Sequence, residues 1–155
     1  MIPHPHNFAP IGAIALFGAA YFSDKKWAFI LPILALWFSD LFINNIIFSS
    51  YYGGFVLFTE GALWIFISFL LIALLGVLIF RKVSVSRVVI GSFAASYVFF
   101  LITNFGVWMS GTLYPMTAEG LAACYSAAIP FFKNTLFSNF LYAAILFGSY
   151  ELAKK

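Results

Sequence analysis

The sequence has very few charged residues for its length. Only 8% of its 155 residues are Asp, Glu, Lys or Arg, whereas 64% are hydrophobic. A soluble domain has about 25% charged and about 45–50% apolar residues, so this chain lacks the polar surface that a globule in water needs. This composition excludes a soluble enzyme, a nucleic-acid-binding protein and a disordered tail, and it indicates an integral membrane protein.

Cysteine and clustered basic residues are also scarce. Cys124 is the single cysteine, so an internal disulfide is excluded. The net charge is +3, but the basic residues are too few and too scattered to form a nucleic-acid-binding patch. The sequence has no convincing nucleophile–base pair, metal-ligand set or nucleotide-binding loop. We therefore expect a protein that is not an enzyme, needs no cofactor and carries no ATP-driven machinery of its own.

Long apolar runs, in contrast, are abundant, and a membrane-spanning helix needs about 20 such residues. The runs predict an all-α, polytopic bundle that forms one transmembrane domain over residues 1–155. Residues 1–9 are expected to form an outer lip or loop. The segment 121–132 is apolar but short and contains Pro130, so we expect it to be re-entrant or interfacial. The five predicted spans are residues 10–22, 27–48, 56–80, 85–109 and 135–152.

The positions of the basic residues predict the orientation of these spans. Lys and Arg occur at the breaks Lys25–Lys26 and Arg81–Arg87 and at Lys154–Lys155, whereas the loops 49–54 and 110–119 contain none. Basic loops of membrane proteins lie on the cytoplasmic side. The sequence therefore predicts an outer N-terminus, a cytoplasmic C-terminus and one basic residue, Lys133, on the outer side.

A small set of polar and aromatic residues is predicted to lie in the outer half of three different spans. Ionisable and amide groups at bilayer depth are costly and usually face a cavity or a partner. Aromatic walls with a few polar groups are typical of small-molecule sites, so these residues predict an outward-facing binding pocket. They are Trp37, Asp40, Asn44, Glu60, Asn104 and Trp108.

A structural interpretation of the same residues is also open. Asp40 can cap a helix end or bond a neighbouring helix, and Trp and Tyr near a surface can belong to the interfacial aromatic belt. For any one residue this interpretation is the stronger one, whereas the occurrence of the group on three helices at one depth favours a site.

Small residues mark one face of the first span. Gly12, Ala15 and Ala19 share this face, and small residues allow the backbones of membrane helices to approach closely. The face predicts a docking surface for another membrane subunit, and close packing within the same bundle is the alternative. In the N-terminal tail, His4 and His6 alternate with prolines, which favours a helix lead-in or lip over a metal site.

Several sequence blocks resemble an uncharacterised family of small bacterial membrane proteins, nearly end to end. The blocks are Pro3–Phe17, Ser39–Asp40, Ile102–Trp108, Cys124–Tyr125 and Ile129–Phe132. That family is similar to the substrate-binding S components of energy-coupling-factor (ECF) transporters. The resemblance implies an S-component-like helical bundle in the bacterial inner membrane. Such a bundle binds a vitamin-like micronutrient on its outer side and works with a transmembrane coupling subunit and two ATPases.

The chain departs from the S components in its number of helices. S components typically have six helices, whereas this sequence predicts five and a short segment, so the missing helix would precede Met1. Residues 3–10 would then be the first outer loop, with His6 and Asn7 on a lid over the pocket. The docking motif of S components belongs to that first helix, which lowers the weight of Gly12, Ala15 and Ala19 as a docking surface.

Two functions follow as hypotheses. The first is a solute-binding transport subunit in the lipid bilayer, in which Asp40, Asn44, Asn104 and Trp108 form the site and Lys133 meets an anionic group of the solute. The second is an accessory or assembly subunit of a larger membrane complex, which has no solute of its own and uses its polar residues to hold helices together.

Overall fold

A computed structural model describes residues 7–154, so His6 lies outside the described residues. The described chain is helical and contains no strand, which confirms the all-α prediction. Helix α2 continues directly into a π-helical turn, Ile43–Ile47. The α-helices are α1 (Ile11–Tyr21), α2 (Lys26–Phe42), α3 (Ser49–Tyr52), α4 (Ala62–Ile79), α5 (Val85–Met109) and α6 (Ala118–Ala153).

Four of the described helices are long and apolar enough to cross a membrane: α2 with its π-helical turn, α4, α5 and α6. Helix α1 is also apolar but has only 11 residues. At 1.5 Å per residue it is about 16 Å long, compared with about 30 Å for the hydrocarbon core of a bilayer. The run predicted as the first span therefore forms a helix too short to cross the bilayer alone.

Helix α1 nevertheless lies at the centre of the bundle, where it packs against α2, α4, α5 and α6. Its small residues make this possible, since Ala15 and Ala19 are almost fully buried and Gly12 is buried as well. A Cβ at Gly76 of α4 would overlap the Cβ of Ala19, so these two backbones approach closely. The small-residue face thus packs inside the bundle in the described part of the chain. This packing agrees with the alternative interpretation of Gly12, Ala15 and Ala19, namely close packing within the same bundle.

The segment 121–132 is not separated from the predicted last span, 135–152. It is the first part of α6, which runs without interruption to the predicted last span. The side chain of Pro130 is exposed, while residues on both sides of it hold α6 against α5. The hydroxyl of Tyr125 donates to the carbonyl of Leu101 at 2.6 Å, and the rings of Phe132 and Phe100 lie 5.0 Å apart. These contacts explain why proline does not end the helix here.

The ends of the helices bring the basic breaks together. The hydroxyl of Tyr21 at the end of α1 donates to Glu151 near the end of α6. Arg87 at the start of α5 donates to the carbonyl of Ile79, the last residue of α4, and to the carbonyl of Lys82 in the following turn. We call this side of the bundle, formed by residues 21–26, 79–87 and 150–154, the basic end. The described basic breaks therefore lie at the same end of the bundle, where Val83, Ser84 and Glu151 line one groove.

Candidate functional site

Two adjoining cavities lie between the helices in the half of the bundle away from the basic end. They have volumes of about 190 and 200 Å³. Four residues line both of them: Asn7, Ile65, Phe99 and Thr135. We call the two cavities together the central cavity.

The walls of the central cavity are mostly apolar and rich in aromatic rings. The rings of Phe69 on α4 and Phe99 on α5 lie 5.6 Å apart, in the tilted arrangement that aromatic pairs favour. Phe100 and Phe132 form a similar pair where α5 meets α6. The central cavity therefore offers flat apolar surfaces, as small-molecule sites in proteins commonly do.

Few polar side chains line the central cavity, and those of the described residues are amides and hydroxyls: Asn7, Thr103, Asn104, Thr135 and Asn139. Thr103 and Asn104 are neighbours on α5, whereas Thr135 and Asn139 lie one turn apart on α6. Thr135 and Asn139 are 7% and 3% exposed, so the α6 pair is almost closed off from the outside. The cavity thus combines an apolar wall with convergent uncharged polar groups from two helices.

Asn139 connects the cavity to a buried polar chain. Its Nδ2 donates to Oγ of Ser96 at 2.9 Å, and Ser96 donates in turn to the carbonyl of Ser92 at 2.8 Å. Asn139 also lies against Gly12, because a Cβ at position 12 would overlap the Oδ1 of its amide. The glycine of α1 therefore makes the space in which the amide of α6 sits.

The structure brings two of the sequence-predicted site residues to the central cavity. Asn104 lines one part and Asn7 lines both parts. Asn7 has a left-handed backbone with φ of 61°, a conformation that asparagine adopts more readily than most residues. The side chain of Asn104 donates from Nδ2 to the carbonyl of Phe100 at 2.7 Å. The backbone carbonyl of Asn104 accepts a hydrogen bond from the thiol of Cys124.

The predicted residues of α2 lie beside the cavity. Leu36 lines it, and Asp40 follows one helical turn later on the same face, towards the end away from Lys26. Asn44 is buried within the π-helical turn. Trp37 donates from its indole nitrogen to the carbonyl of Leu57 at 3.2 Å. None of these three side chains is among the described residues that line the central cavity. Trp37 instead bonds the loop that leads to α4.

Three further residues lie elsewhere. The indole nitrogen of Trp108 donates to the carbonyls of Pro115 and Thr117, so this tryptophan holds the loop between α5 and α6. Glu60 is exposed and lines a neighbouring groove between α4 and α5, which shares Ile65, Thr103 and Val107 with the central cavity. Lys133 is exposed on α6 and is not among the described residues of the cavity wall.

Sequence reasoning missed Thr103, Thr135 and Asn139. Thr135 and Asn139 stand one turn apart within an otherwise apolar run, and this spacing places both on one face of a helix. An amide inside an apolar run is itself a signal of a cavity or a polar contact. The sequence predicts 121–132 and 135–152 as two segments, which places Thr135 at a helix start and conceals this signal.

The comparisons with known proteins identify the family of the chain. The model of a family described as "Family of unknown function (DUF6580)" matches residues 1–155. No curated protein and no solved structure matches the chain. The description of the family names no activity, so the likeness to ECF S components stays a prediction. A match over the whole length nevertheless shows that the chain belongs to this family of unknown function, DUF6580.

Proposed function

We propose that this protein is a solute-binding membrane subunit for the uptake of a small, vitamin-like micronutrient. The observation that carries the proposal is the central cavity, in which aromatic rings surround two amides and two hydroxyls from α5 and α6. A few polar groups in an apolar pocket fix the orientation of a small molecule while the walls exclude water.

The distribution of charge supports uptake from the outer side. The described basic residues at Lys25–Lys26, Arg81–Arg87 and Lys154 all lie at the basic end, and the cavity lies in the other half of the bundle. By the positive-inside rule the basic end is cytoplasmic. In the inner membrane of a bacterium, the cavity would then receive its solute from the outside, and the C-terminus would be cytoplasmic.

Binding without chemistry fits the residues of the cavity. Thr103 and Thr135 each donate to a carbonyl of their own helix, at 2.7 and 3.3 Å, and none of the described lining residues is a general base that could activate them. Transport against a gradient needs a source of energy, and the sequence has no nucleotide-binding loop. A separate ATP-driven coupling module, with a transmembrane subunit and ATPases, would supply it.

The test is to identify the small molecule that co-purifies with the full chain. The protein is purified from its host in mild detergent, and released compounds are identified by mass spectrometry. Asn104→Leu removes a cavity amide at similar volume, so we expect at least a tenfold loss of the bound compound. Asp40→Asn is the matched control, since Asp40 is not among the described residues of the cavity wall, and we expect it to retain the compound.

Two outcomes would count against the proposal. Loss in Asp40→Asn but not in Asn104→Leu would move the site to the outer part of α2. The absence of any co-purified compound, together with stable association with other membrane proteins, would favour the alternative of an accessory or assembly subunit. Thermal unfolding of each variant shows whether a lost compound reflects a lost fold.

A further inference from the structure

We infer that the central cavity takes an uncharged solute that donates hydrogen bonds to it. This inference rests on the proposed function, because it concerns the ligand class of the same cavity. The observation behind it is the direction of the hydrogen bonds made by the four polar side chains on α5 and α6, Thr103, Asn104, Thr135 and Asn139.

The polar side chains of α5 each donate one hydrogen bond to a backbone carbonyl of α5 itself. Thr103 has one O–H, which donates to the carbonyl of Phe99 at 2.7 Å. Asn104 donates from Nδ2 to the carbonyl of Phe100 at 2.7 Å. A carbonyl can only accept, so the amide nitrogen must face Phe100. The hydroxyl oxygen of Thr103 and the Oδ1 of Asn104 have no donor among the described residues, and they remain available as acceptors.

The polar side chains of α6 follow the same pattern. Thr135 donates its O–H to the carbonyl of Phe131 at 3.3 Å. Asn139 donates from Nδ2 to Ser96, whose own O–H is engaged by the carbonyl of Ser92, so Ser96 can only accept from Asn139. The oxygens of Thr135 and Asn139 likewise have no donor among the described residues.

The four side chains therefore present more acceptors than donors, while the amide of Asn7, which also lines the cavity, adds one acceptor oxygen and one NH2 group. Each hydroxyl oxygen and each amide oxygen can accept a hydrogen bond, whereas only the second N–H of each amide is left to donate. When a solute displaces water from the cavity, any oxygen that it leaves without a hydrogen-bond partner weakens its binding. A solute that carries N–H or O–H groups satisfies these oxygens, and a solute that only accepts leaves them unpaired.

The described residues that line the central cavity carry no charge, which disfavours the binding of a charged solute. Asp40, Glu60 and Lys133, the charged residues predicted at this depth, are not among the described residues that line the cavity. A charge moved into an apolar site without a partner of opposite sign loses its hydration with little compensation. The paired rings of Phe69 with Phe99 and of Phe100 with Phe132 instead favour a compact ring with N–H or O–H substituents.

The test compares small probes of equal shape with the full chain in lipid nanodiscs. Indole and benzofuran differ in one ring position, which is an N–H donor in the first and an oxygen in the second. Isothermal titration, with empty nanodiscs subtracted, gives the two dissociation constants. We expect indole to bind about three- to tenfold more tightly, as one hydrogen bond allows. Benzyl alcohol, benzylammonium and benzoate form a second set, in which we expect only the uncharged alcohol to bind.

Variants assign the preference to the cavity oxygens. In Asn104→Leu and Thr103→Val we expect the ratio of the indole and benzofuran constants to fall towards one. Ser126→Ala is the matched control, since Ser126 is exposed on α6 and its hydroxyl bonds only the carbonyl of Ala122. We expect this variant to retain the full ratio.

Each outcome decides the inference. Equal or tighter binding of benzofuran, or binding of either charged probe as tight as that of benzyl alcohol, overturns it but leaves a solute-binding cavity. If none of the probes binds, the co-purified compound decides: an uncharged N–H or O–H donor supports the inference, and an ion or a compound without donors overturns it. If no probe binds and no compound co-purifies, the proposed function fails, and this inference fails with it.

Discussion

The side chain of Asn139 contacts two other helices, and the absence of a side chain at Gly12 makes one of these contacts possible. The amide of Asn139 reaches from α6 to α1 because residue 12 has no Cβ, and it bonds Ser96 on α5 at the same time. One side chain thus connects three helices and also forms part of the cavity wall. The size of residue 12 and the polarity of residue 139 are therefore coupled.

Adding one methyl group at residue 12 tests this coupling. We expect Gly12→Ala to lower the free energy of unfolding by about 1–3 kcal/mol, as overpacking of a tight interior does. Gly148→Ala is the matched control, because nothing lies within 4 Å of a Cβ built at Gly148. Alanine there should raise stability by about 0.5–1 kcal/mol through its better helix propensity. Thermal or denaturant unfolding in detergent measures both, and equal effects would contradict the close contact at Gly12.

At the scale of the helices, one arginine at the start of α5 bonds the backbone at the end of α4. The Nη1 of Arg87 donates to the carbonyls of Ile79 and Lys82, each at 3.1 Å. These carbonyls come at and just after the end of α4, where backbone acceptors lack a partner within the helix. A residue from which the sequence predicts the cytoplasmic side therefore also bonds the backbone at a helix end in the fold.

Replacing this arginine should loosen the junction. We expect Arg87→Gln to lower the free energy of unfolding by about 1.5–3 kcal/mol, the range for hydrogen bonds that involve a charged group. Arg81→Gln removes the same charge from an exposed side chain nearby, and we expect it to change stability by less than about 0.5 kcal/mol. Hydrogen exchange of the 79–87 backbone amides locates the effect. Similar losses in the two variants would mean that charge matters more than the two bonds.

The elements also show where sequence reasoning succeeded and where it failed. The run 85–109 coincides with α5, and the run 56–80 contains α4, which begins six residues later at Ala62. Both runs are recognised because apolar composition and basic stops appear in the chain itself. The division of α6 at Pro130 was wrong. A proline removes one hydrogen bond from a helix, but whether the helix continues depends on its neighbours, here on Tyr125 and Phe132 packed against α5.

At the scale of the whole molecule, the fold places the basic breaks and the central cavity in different halves of the bundle. The described basic breaks lie at one end, and the central cavity lies in the other half. This polarity gives the bundle two different faces along the expected membrane normal. The positive-inside rule then predicts which face is outside.

Cysteine labelling in intact cells tests that orientation. We expect a membrane-impermeant maleimide to label Leu113→Cys, in the loop between α5 and α6, and to leave Lys82→Cys unlabelled until the membrane is opened. The wild-type chain is the control, since Cys124 is buried and only 2% exposed. Labelling of Lys82→Cys in intact cells would reverse the orientation and remove the argument for uptake.

The amino-acid sequence by itself determined the membrane-protein class, the all-helical architecture and the alternation of the basic breaks. Each of these depends on local composition, because every residue in a lipid-facing helix contributes its own transfer free energy. The sequence also placed Asn104 in a candidate site from its position in an apolar run. The sequence could not show that Asn104 lines the cavity whereas Asp40 does not, since both residues lie at a similar predicted depth.

Only the tertiary structure decided which polar groups share a cavity. Asn104 and Thr135 line one part of the central cavity and Thr135 and Asn139 line the other, because α5 and α6 pack side by side and because Gly12 lets α1 approach. Asp40 is excluded from the described wall because α2 lies at the edge of the bundle, with only Ala28 and Pro32 buried in it. The reason is physical: helix periodicity gives the face of a residue, whereas the neighbour of that face depends on packing between helices far apart in the chain.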